Sequence, residues 1–258
     1  RTGATLNSGE HREEIILIAA THAALRTYLD PIISAGLRPL AVDVSFVAIA
    51  RALSRQHRRE SDRGNVRAVV EVGASGSHVL ILRGDQIAFC KSVPIGGRKF
   101  DEAVQEHLQL DSDAARQLRA NRLGSVAGPH TVDSEGTERA IFEAVRPLLG
   151  ELAKEVLLCL RYYGVTFRGQ PPDRIILAGG DSLEPHFDRM LSEACKLPVS
   201  FDDDRGTYHR LGEQLQRARG GTASRWITAV GLSSRRLEGH RVEDEGDRRE
   251  NASRGAAA

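Results

Sequence analysis

Val66-Arg67-Ala68-Val69-Val70-Glu71-Val72-Gly73-Ala74-Ser75-Gly76-Ser77-His78-Val79-Leu80-Ile81-Leu82 is two apolar runs parted by small residues. Each run is short and rich in β-branched side chains, which suits a buried strand better than a helix. The five residues between them, Gly73 to Ser77, read as a tight turn. Arg83-Gly84-Asp85 then leads into a third run, Gln86 to Ser92, so residues 66–92 form an antiparallel meander with short turns. Arg-Gly-Asp also spells an adhesion tripeptide, but Gly-Asp is ordinary turn chemistry and reads here as a hairpin.

Downstream, Pro94-Ile95-Gly96-Gly97 precedes a helix whose Phe100, Val104, His107 and Leu108 share one face, and Asp111 caps a second helix running to Arg122. After a loop over 124–136, Ile141, Val145, Leu148, Leu152, Val156, Cys159 and Tyr163 predict a long helix over 137–163, bent at Pro147. Residues 174–178 are a short apolar strand. Gly179-Gly180-Asp181-Ser182 follows it, then a helix over 184–195, an edge strand at 199–201, and a last helix over 223–232 anchored by Trp226.

Upstream, residues 13–20 are a continuous apolar run expected as a strand buried on both faces. Thr21 caps a helix carrying Leu25, Tyr28, Leu29, Ile32 and Ile33, which Gly36 stops. A strand over 40–44 and a helix through Phe46, Ile49, Ala50 and Leu53 complete a strand, helix, strand, helix unit. Residues 54–64 are a charged connection. Beyond Ser233 no apolar anchors remain, and a disordered tail is expected.

The 258 residues allow one large domain or two modest ones, and 40% hydrophobic with 28% charged residues excludes wholesale disorder. Basic and acidic side chains balance at 36 against 35, which leaves no electrostatic footprint for nucleic acid. No apolar run approaches the roughly 20 residues of a spanning helix. A soluble, intracellular protein without a transmembrane segment is expected. Cys90, Cys159 and Cys195 are far apart and read as reduced core thiols. His78 and His107 have no second ligand at metal spacing, the run Asp202-Asp203-Asp204 reads as solvated, and no grouping of Ser, His and acid is recognisable.

Chemistry concentrates in the two glycine turns. Small side chains at Gly73, Ala74, Ser75, Gly76 and Ser77 let backbone N–H groups approach an anion, with Ser75 and Ser77 adding hydroxyls. At Gly179, Gly180, Asp181 and Ser182 the helix that follows is expected to aim its partial positive end at the turn. Either turn alone reads first as a plain structural turn, since glycine turns occur in most proteins.

The order of these parts resembles the second half of the actin-like ATPase fold, an α/β architecture of the ribonuclease H-like kind. Its wording is similar to the type IV pilus assembly protein PilM family. The resembling stretches are Ala41-Val42-Asp43-Val44, Val70-Glu71-Val72-Gly73-Ala74-Ser75, Ser92-Val93-Pro94-Ile95-Gly96-Gly97, Leu160-Arg161-Tyr162-Tyr163, Ile176-Leu177-Ala178-Gly179-Gly180 and Ala229-Val230-Gly231-Leu232. The resemblance implies a complete second lobe over 64–232, with a helical insertion at about 98–136. A partial first lobe over 13–53 would hold what remains of its inserted small subdomain, and 233–258 would be the tail.

It further implies ATP and magnesium bound at Glu71, Gly73 to Ser77, Gly97 and Gly179 to Ser182. The implied partner is the cytoplasmic N-terminal segment of the inner-membrane protein PilN, which places the chain on the cytoplasmic face of that membrane. An earlier phosphate hairpin expected of the fold has no counterpart before Glu13, and the chain opens at Arg1, so an upstream part is expected to be missing. Glu71 stands where the family usually carries Asp, and Asp181 where Gly or Ser is common. Arg116 and Arg119, where Glu and Lys are usual, are expected to be solvated helix charges. Three readings follow: an ATP-binding scaffold of pilus assembly with at most weak ATPase activity, a degenerate interaction module without nucleotide, and a small-molecule kinase.

Overall fold

The computed structural model describes residues 2–5, 11–54, 65–124, 134–167, 170–201 and 223–235. The charged connection, most of the 124–136 loop, the triple-aspartate run and the tail beyond 235 lie outside the described residues. In chain order the elements are β1 (Thr2–Thr5), β2 (His11–Glu14), α1 (His22–Ser34), α2 (Ser45–Ser54), β3 (Val66–Val72), β4 (Ser77–Arg83) and β5 (Gln86–Val93). Then follow α3 (Gly97–Leu108), α4 (Ser112–Gly124), α5 (Ser134–Thr166), β6 (Ile175–Ala178), α6 (Phe187–Cys195), β7 (Val199–Phe201), a 3-10 turn (Ala223–Trp226) and α7 (Ile227–Ser233).

The meander forms as its sequence predicts, with β3, β4 and β5 antiparallel. Beside β3 lies β6, then β7, both parallel to it, giving the five-stranded order β5-β4-β3-β6-β7. All seven residues of β3 are buried, because helices cover both faces of the sheet. On one face Val70, Val72, Val79 and Leu177 pack against Phe100 and Val104 of α3, Val145, Leu149 and Val156 of α5, and Phe187 and Leu191 of α6. Phe187 and Leu191 are fully buried, each stabilising the α6 seat by about 2 kcal/mol. On the other face Val69, Leu80 and Ile176 meet Ile49 and Leu53 of α2 and Ile227 and Val230 of α7, with Trp226 at the margin. Helices α3 and α4 occupy the segment read as an insertion. Asp111 Oδ1 caps α4 by accepting from the Ala114 N–H at 2.8 Å.

Four local expectations change. Helix α5, with Pro147 inside it, runs 33 residues from Ser134 to Thr166 and passes both expected ends. Helix α6 starts at Phe187, three residues late, because Pro185 is followed by His186 at φ 66° in the left-handed region. Residues 13–20 do not form a strand buried on both faces. Only His11–Glu14 is extended and paired, with Thr2–Thr5, while Ile15 and Leu17 are 77% and 88% exposed. Residues 40–44 are likewise not a strand. An apolar run becomes a central strand only when neighbours saturate both its edges, and no described strand flanks either segment. Helix α1 does form, with Thr21 Oγ1 accepting from the Ala24 N–H at 3.2 Å and Gly36 at φ 78° after its end, yet none of its residues is buried.

Candidate functional site

Strands β3 and β6 are parallel neighbours with Glu71 opposite Ala178, so the turns that leave them emerge at the same edge of the sheet. Backbone bonds then knit the turns together. The Asp181 N–H donates to the Val72 carbonyl (3.1 Å), the Gly97 N–H to the Gly73 carbonyl (3.0 Å) and the Arg98 N–H to the Ala74 carbonyl (2.8 Å). Between them opens a cavity of about 460 Å³ whose lining includes Ala74, Gly97, Arg98, Asp101, Arg116, Arg119, Gly180, Asp181 and Arg225. A wider groove of about 710 Å³ beside Pro147 and Met190 contains neither turn.

Three glycines are set by this crowding. Gly179 has φ 97°, and a Cβ there would run into the Val72 backbone. At Gly97 a Cβ would meet the Asp181 carboxylate. Gly96, not singled out in the sequence, is equally constrained: a Cβ would lie 2.6 Å from the Gly76 nitrogen and closer still to the Gly73 carbonyl oxygen.

What faces the cavity differs from the expected set. Ala74 and Ser75 are exposed, and the N–H groups of Ala74, Ser75, Gly76 and Gly180 make no hydrogen bond among the described residues. Ser77 and Ser182 turn inward: their hydroxyls donate to the carbonyls of Ile95 (2.6 Å) and Gly179 (2.9 Å) and offer nothing to a ligand. Helix α6 does not follow the second turn directly, since it begins only at Phe187. The Gly179 N–H instead donates to Ser224 Oγ at 2.9 Å, tying this turn to the segment before α7.

Arg119 is no solvated helix charge; it is 5% exposed. Its Nε donates to Asp101 Oδ1 (2.7 Å), Nη1 to Glu184 Oε1 (2.6 Å), and Nη2 to Asp181 Oδ1 (2.5 Å) and the Gly97 carbonyl (3.2 Å). Its guanidinium also lies over the Phe100 ring, 5.5 Å from the centroid. Burial opposes the Arg119 charge, and Asp181, Glu184 and Asp101 more than offset it, so its pKa sits above the ordinary arginine value. Glu184 is pushed up by burial, against Arg119 and Arg122. With those guanidiniums at 2.6 and 3.2 Å, the geometry holds its ionised form. The Asp181 carboxylate is therefore paired, but with a guanidinium that it shares with Asp101 and Glu184. Arg98, Arg116 and Arg225 at the cavity have side chains without a hydrogen bond or ion pair among the described residues.

Glu71 lies beneath Gly73, 8% exposed, and accepts no hydrogen bond among the described residues. Burial first, and the Asp181 charge second, push its pKa from 4.5 up to about 7. An unfolded Glu71 ionises near 4.5 while the folded one keeps its proton to about 7, so the folded state binds more protons in that window. Stability should fall by about 3 kcal/mol as pH rises across it. Glu71→Gln should remove that part of the slope. Urea midpoints at pH 4.5 and 8 check it, and identical slopes in both proteins would contradict the assigned environment.

A family model described as type IV pilus assembly protein PilM matches residues 3–237. The chain belongs to the PilM family. Solved structures of similar fold include the PilM–PilN type IV pilus biogenesis complex, with TM-score 0.62, 23% identity, and coverage of 81% of this chain and 56% of that one. EutJ, the ethanolamine utilization protein of Carboxydothermus hydrogenoformans, aligns with TM-score 0.55 and 16% identity over 82% of this chain and 61% of its own. MreB5 of Spiroplasma citri bound to ADP aligns with TM-score 0.54 and 12% identity over 83% and 65%. The cell shape-determining protein MreB of Escherichia coli is 25% identical over 158 residues, 53% of this chain and 46% of MreB. The chain thus spans about half the length of that relative. The fold is actin-like, as the order of glycine turns in the PilM-type sequence implies.

Arg119, Glu184, Asp101 and Gly96 escape a reading of the sequence. Only Gly96 leaves a trace there, as half of a glycine pair; the other three look like ordinary helix and loop charges until the fold brings them together.

Proposed function

We propose that this chain is an ATP-binding, actin-like scaffold of type IV pilus assembly, with residues 73–77 and 179–182 forming two sides of one polyphosphate site. A single observation carries the reading: two turns over 100 residues apart leave adjacent parallel strands and close on one cleft with amides and arginine side chains that have no partner among the described residues. The donor set fits an anion. The N–H groups of Ala74, Ser75, Gly76 and Gly180, without a partner among the described residues, suit phosphate oxygens, and Arg98, Arg116 and Arg225 supply charge. Arg119 offsets part of the Asp181 charge that a ligand would meet. Bound ATP supplies a multiply charged group able to hold both turns at once. Among the described residues no three His, Cys, Asp or Glu side chains gather as a metal site, so magnesium in this reading rides on the phosphates with Glu71 near its water shell.

The partner in this reading is the cytoplasmic segment of PilN, supported by the likeness to a PilM–PilN complex. No described helix is long and apolar enough to cross a membrane, so attachment to the inner membrane would come through that partner. The buried Asp181–Arg119 pair and the proton-holding Glu71 favour a second reading, an interaction module that binds no nucleotide.

Calorimetric titration with ATP and magnesium separates the two. Saturable binding is expected, weakened at least about tenfold in Gly73→Leu, because a Cβ there starts 3.1 Å from the Gly76 carbonyl oxygen and 3.2 Å from Glu71 Oε1 and reshapes the turn. No binding to the unaltered chain selects the second reading, and unchanged affinity in the variant removes the phosphate role from this turn.

A further inference from the structure

Residues 223–235 touch the cleft at one end and the segment before α2 at the other. At the cleft, Ser224 Oγ holds the Gly179 N–H (2.9 Å) and the Arg225 side chain lies across Gly180. Along its length α7 packs so closely on α2 that a Cβ on Gly231 would overlap the Ala48 carbonyl. At the far end three bonds form a clasp. Arg51 donates from Nη1 to the Gly231 carbonyl (2.8 Å) and from Nη2 to Asp43 Oδ2 (2.9 Å), while Arg235 Nη1 donates to the Val42 carbonyl (2.9 Å) and stands 3.4 Å from Asp43 Oδ2. Burial raises the Asp43 pKa, and the Val44 N–H with the two guanidiniums overcomes that, holding the carboxylate below its ordinary range and charged at neutral pH.

We infer that residues 223–235 couple the cleft to residues 37–44, so that nucleotide drawn against Arg225 and Gly180 tightens the Asp43 clasp and orders the exposed Leu37, Leu40 and Val42. The inference rests on the nucleotide reading above. Its physical content is a differential contact: the Arg225 side chain, which has no hydrogen bond or ion pair among the described residues, gains a partner when the cleft is filled, and the packed α7–α2 contact leaves no slack for one end of the segment to move alone. Reciprocity follows, because whatever loosens the clasp must weaken nucleotide binding by the factor that nucleotide strengthens the clasp.

Hydrogen exchange read by mass spectrometry on the whole chain, with and without saturating ATP and magnesium, tests it in the unaltered protein, Asp43→Asn and Arg235→Ala. Nucleotide should slow exchange at 73–77, 179–182 and 37–44 in the unaltered chain, by about fivefold or more at the last. Both variants should keep the protection at the two turns and lose it at 37–44. Protection at 37–44 that survives in both variants, or is absent from the unaltered chain while the turns are protected, overturns the coupling alone. If nothing is protected in the unaltered chain, the nucleotide reading fails and the coupling falls with it.

Discussion

Arg119→Ala should cost about 3–5 kcal/mol of folding stability. The guanidinium donates to Asp101, Asp181, Glu184 and the Gly97 carbonyl, and removing it leaves three carboxylates from two segments facing one another with little water. Arg122 still reaches Glu184, but at 3.2 Å and through one nitrogen, and it does not serve Asp181. Arg119→Lys should recover no more than part of the loss, since one ammonium cannot span directions that a planar fork meets at once. Urea unfolding followed by circular dichroism reads the effect. A loss below about 1 kcal/mol in the alanine variant would mean that Arg119 does not hold the charged knot together.

Gly179→Ala should be nearly as damaging, at about 3 kcal/mol or more, for a different reason. Its backbone sits at φ 97°, where a side chain is strained, and the new Cβ would lie 2.7 Å from the Val72 nitrogen and 2.8 Å from its carbonyl carbon. That contact is where the end of β3 meets the second turn, so relief of the clash must push the two turns apart. Gly180→Ala is the control. Its Cβ would meet only the Arg225 side chain, at 3.3 Å from Cγ, which can swing away, and its effect should stay near 0.5 kcal/mol. Equal losses in the two variants would show that the tight approach at Gly179 is not what matters.

Much of this was readable before any coordinates. Local information suffices for the meander because the strands of 66–92 are joined by short turns, and the Gly84–Asp85 hairpin needs only neighbours in sequence. The apolar run at 15–20 misled for the opposite reason. Its burial depends on flanking strands, and composition cannot say whether those are present. The start of α6 was misjudged because His186 adopts a left-handed backbone that helical periodicity does not register. Arg119 was misread because its partners lie 18, 62 and 65 positions away, so its surroundings exist only after the fold brings α3, α4 and the second glycine turn together. The Ser77 hydroxyl reads as a ligand donor from residue type alone, while the backbone geometry turns it inward, as it does the hydroxyl of Ser182.

The most direct measurement is amide NMR of the full chain during a titration with ATP and magnesium. The N–H signals of Ala74, Ser75 and Gly76 should shift together with that of Gly180, along one saturation curve with one dissociation constant. Shifts confined to one turn, or two curves with different midpoints, would contradict a single polyphosphate site built from both.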